Sequence, residues 1–278
     1  MAEGRGRVSA LILLLIAALS FGAAIFHDKN PLAEEAGAYA ESIAKVSAAT
    51  YVTLRTLNAL LSTAQEVEVG ASVGVSGNFQ PGKILEPIDD TIERIAATVF
   101  SIMLVSGLLA VAMGPVGAVG GAMIAAACLL LLIGRQSPLR SGARKLGVMG
   151  AILTLGLPIC LIASDWLAGP LTGSVLIRHQ AVIDDIVAEV PGADPAPLES
   201  APEQTGILGG VLDRFSTGLD YVASGQQVLA QAGSIVTNAD KIIGSYLSIL
   251  AVLLFRTFLL PALLLAAGWL IVKGYIRD

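Results

Sequence analysis

The sequence predicts an all-α membrane protein. The expected parts are four transmembrane helices, one interfacial or re-entrant apolar segment, a helical extracytoplasmic bundle and a small β-hairpin. Three observations predict this class. The chain is 55% hydrophobic and only 14% charged, with mean hydropathy +0.76, whereas a soluble domain carries about 25% charged residues. The stretch Ile95–Gly134 holds no charged side chain and is interrupted only by Gly114-Pro115, and an uncharged run of that length belongs in lipid. It ends at a segment, 135–145, with four cations and no acid. Short basic segments beside a span stay in the cytoplasm.

Taken in order, Arg5 and Arg7 precede an apolar run, Val8–Phe26. It is read as an uncleaved first span, in preference to a signal peptide with a small-residue site near Gly22-Ala23-Ala24. Segment 27–94 then lies outside the cytoplasm. Asn30 is placed to cap a helix, with Pro31 at its first position and Glu34 and Glu35 in its first turn. That helix is expected to reach Ala64. Ile43, Leu54, Leu57 and Leu61, with Ser47 and Thr50 between them, share one face, which needs a partner. From Glu66 to Phe79 the period changes: Val67, Val69, Ala71, Val73 and Val75 alternate with polar or small residues, and Gly77-Asn78 and Pro81-Gly82 supply turns. This predicts the hairpin.

The central apolar stretch decides the threading. If 95–113 and 116–133 both cross, the basic segment falls on the same side as 27–94, which has ten acids and five bases. That is a five-span solution against the positive-inside rule. The preferred solution lets only 116–133 cross. Segment 95–113 then lies in the outer interface, or dips in and returns at Gly114-Pro115, and 135–145 is a cytoplasmic loop. Segment 146–168 crosses back, with a kink expected at Pro158 and a stop at Gly169-Pro170. Segment 169–245 is extracytoplasmic, with nine acids and three bases. It comprises an amphipathic helix from Val175 to Val190, a Pro- and Ala-rich linker at 191–206, and a 3-4 seam from Leu208 through Asp240, Ile243 and Leu247 to Leu250. The seam leads into the last span, 247–272. Both termini are then cytoplasmic.

Few residues invite chemistry. Asp165 and Arg256 lie within apolar runs, where charges are unfavourable and face protein or water. They form a candidate ion pair, set against an arginine that merely snorkels outward. Gly117, Gly121 and Ala125 form a small-residue stripe, and Gly114, Ala118 and Ala122 a second, either of which suits close helix approach. Thr98, Ser101 and Ser106 are candidate lining residues for a pore. Asp89, Asp90 and Glu93 make an acidic helix start. His27 and His179 have no second histidine at ligand spacing, so no metal is expected. Trp166 and Trp269 suit the aromatic belts. Cys128 and Cys160 fit packing positions rather than a disulfide. No Walker loop, HExxH or Gly-x-Ser-x-Gly occurs, so neither an enzyme nor a cofactor is expected. The only basic cluster is explained by topology, so no nucleic-acid partner is expected.

Leu57-Asn58-Ala59-Leu60-Leu61-Ser62, Leu85-Glu86-Pro87-Ile88-Asp89-Asp90 with Glu93-Arg94, Ala163-Ser164-Asp165-Trp166-Leu167 and Phe258-Leu259-Leu260-Pro261 resemble stretches of an uncharacterised family of bacterial multi-pass inner-membrane proteins. The resemblance implies a bacterial inner-membrane location and no known activity. Two long helical outer segments between spans are also similar, in architecture alone, to prominin and tweety proteins, and likeness of fold does not carry function. The leading expectation is a homo-oligomer presenting a helical extracytoplasmic module to membrane lipids or a partner protein. The rival is an oligomeric ion or small-solute channel with Arg256 and Asp165 near its outer mouth.

Overall fold

The computed structural model describes residues 2–71, 82–133, 137–188 and 237–277, and among them every regular element is helical. The elements are α1 (Ala2–Ile25), a short turn at His27–Lys29, α2 (Pro31–Ala71), α3 (Gly82–Ile133), α4 (Ser137–Ala151), α5 (Leu157–Ala188), α6 (Ala239–Leu254) and α7 (Leu260–Arg277). A π-helical turn, Ile152–Gly156, joins α4 to α5, and another, Phe255–Leu259, joins α6 to α7. The chain divides into two compact units. One is Met1–Glu41, Gly107–Leu167 and Phe258–Asp278; the other is Ser42–Ser106 and Ala168–Thr257.

In the first unit, glycines bring helices together. A methyl group at Gly121 would meet the Ser20 carbonyl oxygen at 2.8 Å, one at Gly117 would lie 3.9 Å from the Asn30 amide, and one at Gly37 would lie 3.3 Å from the Ala110 carbonyl oxygen. Partners of α3 thus advance from Ser20 to Asn30 to Gly37 as its own numbering falls from 121 to 110. The chain from α1 into α2 therefore runs antiparallel to α3. Asn30 caps α2 as expected: its side-chain oxygen accepts from the Leu32 N–H at 3.1 Å, and its carbonyl from Glu34 at 3.0 Å. The α3–α4 pair is tighter still. A methyl at Gly150 would fall 2.6 Å from the Gly120 carbonyl oxygen, and one at Gly147 would lie 3.3 Å from Ala127.

The second unit has an apolar core in which the expected face of α2 is buried throughout: Ile43, Ser47, Thr50, Leu54, Leu57 and Leu61. Ile92, Val99 and Ile102 from α3 and Ile242, Tyr246, Ile249 and Leu253 from α6 are buried in the same unit. Tyr51 of α2 and Phe100 of α3 stack with ring centroids 5.2 Å apart.

Five expectations are corrected. First, α3 is one helix of 52 residues that runs through Gly114-Pro115, so 95–113 does not dip and return there. A proline removes one hydrogen bond, and helices in membranes tolerate this because neighbouring groups re-satisfy the backbone. Second, Val67–Ala71, the start of the expected hairpin, is the last turn of α2. Extending an existing helix adds one hydrogen bond per residue fixed, whereas a new hairpin must nucleate. The remainder of the hairpin, 72–81, lies outside the described residues. Third, the basic segment is helical from Ser137 rather than a loop, with Arg140, Arg144 and Lys145 exposed.

Fourth, Gly169-Pro170 does not stop the chain, because α5 continues through Pro170 to Ala188. Pro158 is absorbed differently. Both π-helical turns end two residues before a proline, Pro158 in one case and Pro261 in the other. A proline ring clashes with the carbonyl four residues back, here Thr154 and Thr257, and the wider turn removes that clash. Fifth, the expected seam is out of register over α6. Ala239, Ile242, Ser245, Tyr246 and Ile249 are buried, whereas Asp240 and Leu247 are exposed. A 3.5-residue repeat projected from Leu208 drifts by about 20° per heptad against a 3.6-residue helix. The linker 191–206 and the seam before residue 237 lie outside the described residues.

Among the described residues, three helical stretches are long and apolar enough to cross a membrane: Glu86–Ile133, Leu139–Ile183 and Ala239–Leu270. Ala10–Ile25 is a shorter apolar helix.

Candidate functional site

The second unit carries the polar groups that stand out against an apolar background. Arg256 lies in the π-helical turn Phe255–Leu259. Its Nε donates to the Thr172 hydroxyl at 2.7 Å and its Nη2 to the Ala168 carbonyl at 3.3 Å. Thr172 Oγ1 in turn donates to the same Ala168 carbonyl at 2.8 Å. A planar guanidinium with donors in a fixed fork suits this two-point grip, and a lysine does not. Pro170, between Ala168 and Thr172 in sequence, lacks the N–H that would bond the Trp166 carbonyl. The arginine thus grips α5 at the turn that a proline weakens.

Between α5 and α6, His179 Nδ1 stands 3.2 Å from Ser245 Oγ. Spacing along the sequence gave no sign of this pair. A serine beside a histidine is the beginning of a nucleophile, but acyl transfer also needs free donors for the oxyanion. Both residues sit within continuous helix, where backbone N–H groups bond carbonyls four residues back. The arrangement acts as a tie between α5 and α6.

The remaining candidates separate. Asp165 is exposed on α5 next to Trp166, also exposed. Thr98 and Ser101 lie on the exposed face of α3, and each hydroxyl donates to a carbonyl of its own helix, Arg94 at 3.0 Å and Ala97 at 2.9 Å. Ser106 is buried on another face, and its Oγ meets no hydrogen-bond partner. The three lining candidates therefore do not share a surface within one protomer. Ten described serine and threonine hydroxyls bond back to the carbonyl four residues earlier, which hides them in their own helices.

Gly117, Gly121 and Ala125 are all buried, with Gly117 and Gly121 turned to the α1–α2 chain. The stripe therefore serves packing within the protomer. Sequence reasoning missed the closer Gly120–Gly150 contact. The signal was present in Gly147, Gly150 and Thr154, small residues at 3-4 spacing.

Asp89 lies on α3 ahead of the uncharged run. Partial burial raises its carboxyl above the usual range, and the Glu93 and Asp90 charges raise it further; a hydrogen bond with Ser62 and the Arg55 charge pull the other way. One oxygen, Oδ1, is buried without a hydrogen-bond partner. Among the described residues no group of three or more His, Cys, Asp or Glu is placed to hold a metal ion.

No protein-family model, curated protein or solved structure matches the chain.

Proposed function

We propose that the chain is a non-enzymatic, homo-oligomeric bacterial inner-membrane protein with cytoplasmic termini. It presents 27–94 and 169–245 outside the membrane as a helical module that organises the bilayer or binds lipid or a partner protein. The observation that supports this most is the unbroken course of α3. A helix that does not turn back has its two ends on opposite sides of any membrane it crosses. The acidic segment before Ile95 and the basic segment after Gly134 are then separated, as the positive-inside rule requires. The apolar run of α1 supplies the fourth crossing.

A scaffold is favoured over a channel because the exposed hydroxyls of α3 are occupied by their own helix. The channel reading retains one specific support, Arg256 within an apolar stretch. Pairing of Asp165 with Arg256 belongs to that reading.

Ion flux through liposomes holding the purified chain tests the proposal. The scaffold reading expects no flux above that of empty liposomes and no change with Arg256→Leu. Flux that Arg256→Leu alters would replace it with the channel.

A further inference from the structure

The basic face of α4 emerges at the level of lipid-facing side chains. Helices α3 and α4 are antiparallel neighbours within the first unit: a methyl at Gly150 would meet Gly120 and Ile124, and one at Gly147 would meet Ala127. Lys145, Arg144 and Arg140 lie roughly 3, 5 and 11 Å from Gly147 along α4. On α3, exposed Leu129, Leu130 and Ile133 lie roughly 3, 5 and 9 Å from Ala127 in the same direction. Cations and exposed apolar side chains therefore share one level. Long basic side chains at such a level lay their stems on the hydrocarbon and reach with the charge into the headgroups.

Arg140, Arg144 and Lys145 are exposed, and among the described residues none of them is held by a hydrogen bond or an ion pair. No Asp or Glu occurs between Glu93 and Asp165, so the surrounding chain offers them no acid. Successive turns of α4 set the cations in two rows: Arg140, Arg144 and Val148 at every fourth position, and Ser141, Lys145 and Met149 beside them. Each row passes from charged to apolar as α4 runs toward Gly150. The apolar part continues through exposed Ile152, Leu155 and Ile159, roughly 17 Å past Val148. That is about the depth of one leaflet in a hydrocarbon core about 30 Å thick. The order along the helix is that of a phospholipid, a charged head and then a chain.

We infer that Arg140, Arg144 and Lys145 bind the phosphodiester of an anionic phospholipid, with its acyl chain along Val148, Ile152 and Ile159. Two guanidinium forks one turn apart suit the paired oxygens of a phosphodiester. A water-borne anion would have to enter the lipid surface to reach Arg144 and Lys145, and it has no chain for the apolar row. The headgroup must be anionic, because a zwitterionic one already brings a cation to its phosphate. Clusters of cations beside a span attract anionic lipid in this way. The site stands apart from the proposed extracytoplasmic module, and neither reading needs the other.

The test is lipid retention by the purified full-length chain in mixed micelles holding equal amounts of phosphatidylglycerol and phosphatidylcholine, read by mass spectrometry of the lipids that stay with the protein. The wild type is expected to enrich phosphatidylglycerol, and so is Arg178→Gln, at an exposed cation of α5 outside this face. A basic residue at an anionic surface contributes about fivefold to binding. Lys145→Gln should therefore cut the enrichment about fivefold and Arg140→Gln/Arg144→Gln roughly 25-fold. Both arginines are exposed and unpaired, so the double variant should keep the wild-type thermal transition in phosphatidylcholine micelles. Glycerol phosphate in excess should leave the enrichment unchanged. Equal retention of the two lipids by the wild type, full enrichment in the double variant, or displacement by glycerol phosphate would each overturn the inference.

Discussion

Gly120→Ala and Gly150→Ala should each loosen the hairpin that α3 makes with α4. The built-in methyl at position 150 would stand 2.6 Å from the Gly120 carbonyl oxygen and 2.9 and 3.0 Å from atoms of Ile124; the one at position 120 would stand 2.8 Å from the Gly150 carbonyl oxygen and 2.9 Å from Leu153 Cβ. The Ile124 Cγ1 contact and a contact with the Thr154 hydroxyl at position 120 can shift by rotation, but the carbonyl oxygens, the Ile124 nitrogen and the Leu153 Cβ cannot, so the helices must separate. Overpacking of this kind costs about 1–3 kcal/mol, against roughly 1 kcal/mol gained by replacing glycine in a helix. The net expectation is a loss of up to about 2 kcal/mol for each. The double variant should lose less than the sum, because a helix pair already pushed apart accommodates the second methyl more cheaply. Gly142→Ala, on the same α4 but with nothing within 4 Å, should be neutral or stabilising. The assay is reversible unfolding in mixed micelles followed by circular dichroism. If Gly150→Ala behaves like Gly142→Ala, or the double variant is strictly additive, the helices do not touch at this point.

Four further outcomes are expected. Arg256→Leu removes a hydrogen bond to Thr172 and one to Ala168 and should lower stability by about 1–3 kcal/mol; if Asp165 pairs with it, Asp165→Leu/Arg256→Leu loses less than the two single losses together, and simple addition in that cycle refutes the pair. The raised carboxyl of Asp89 binds its proton more tightly in the folded chain than in the unfolded one. Its contribution is therefore full below the unfolded value and fades as pH rises through the higher folded one, so acidification through that window should stabilise the wild type, and Asp89→Asn should flatten the rise in a melting series. Pro158→Ala should destabilise although it removes a proline, because relaxing the turn at Ile152–Gly156 rotates α5 against α4 by about 100°; amide exchange over α4 and α5 should quicken, and slower exchange would refute this. Ser141→Cys, in a chain with Cys128 and Cys160 replaced by alanine, should resist an impermeant thiol reagent on whole cells and react in inverted vesicles; ready labelling from outside reverses the topology.

Periodicity survived the passage from sequence to structure where one face had to be buried in protein. Asn30 caps α2, and Ile43, Leu54, Leu57 and Leu61 are buried together, because a polar opposite face, with Glu34, Lys45 and Arg55, left one choice of orientation. The same reading lost its way over α6. There Leu247, Leu250 and Leu254 are as apolar as the buried Ile242, Ile249 and Leu253, since lipid accepts one set as readily as the core accepts the other. Hydrophobicity alone does not orient a helix that is wet on neither side. The site was the least legible part. Arg256 was visible as a charge out of place, but its partners Thr172 and Ala168 come from another helix, and the His179–Ser245 tie joins residues that no spacing rule connects.

Punctuation failed for a related reason. Gly114-Pro115 and Gly169-Pro170 were read as a return and a stop, as they are where water offers a broken backbone other partners. In a bilayer an unpaired carbonyl has no water to turn to, so abandoning the helix frees more groups than one proline does. The chain keeps the helix and adjusts it locally, with a wider turn before Pro158 and Pro261 and, beside Pro170, a guanidinium that braces the neighbouring Ala168 carbonyl from outside the helix. The prolines therefore mark where helices are weakened and cross-braced. Arg256, in the turn that follows α6, braces α5 two residues from the Trp166 carbonyl that Pro170 leaves without its helical donor, so Arg256→Leu removes a cross-brace where α5 is already weakened.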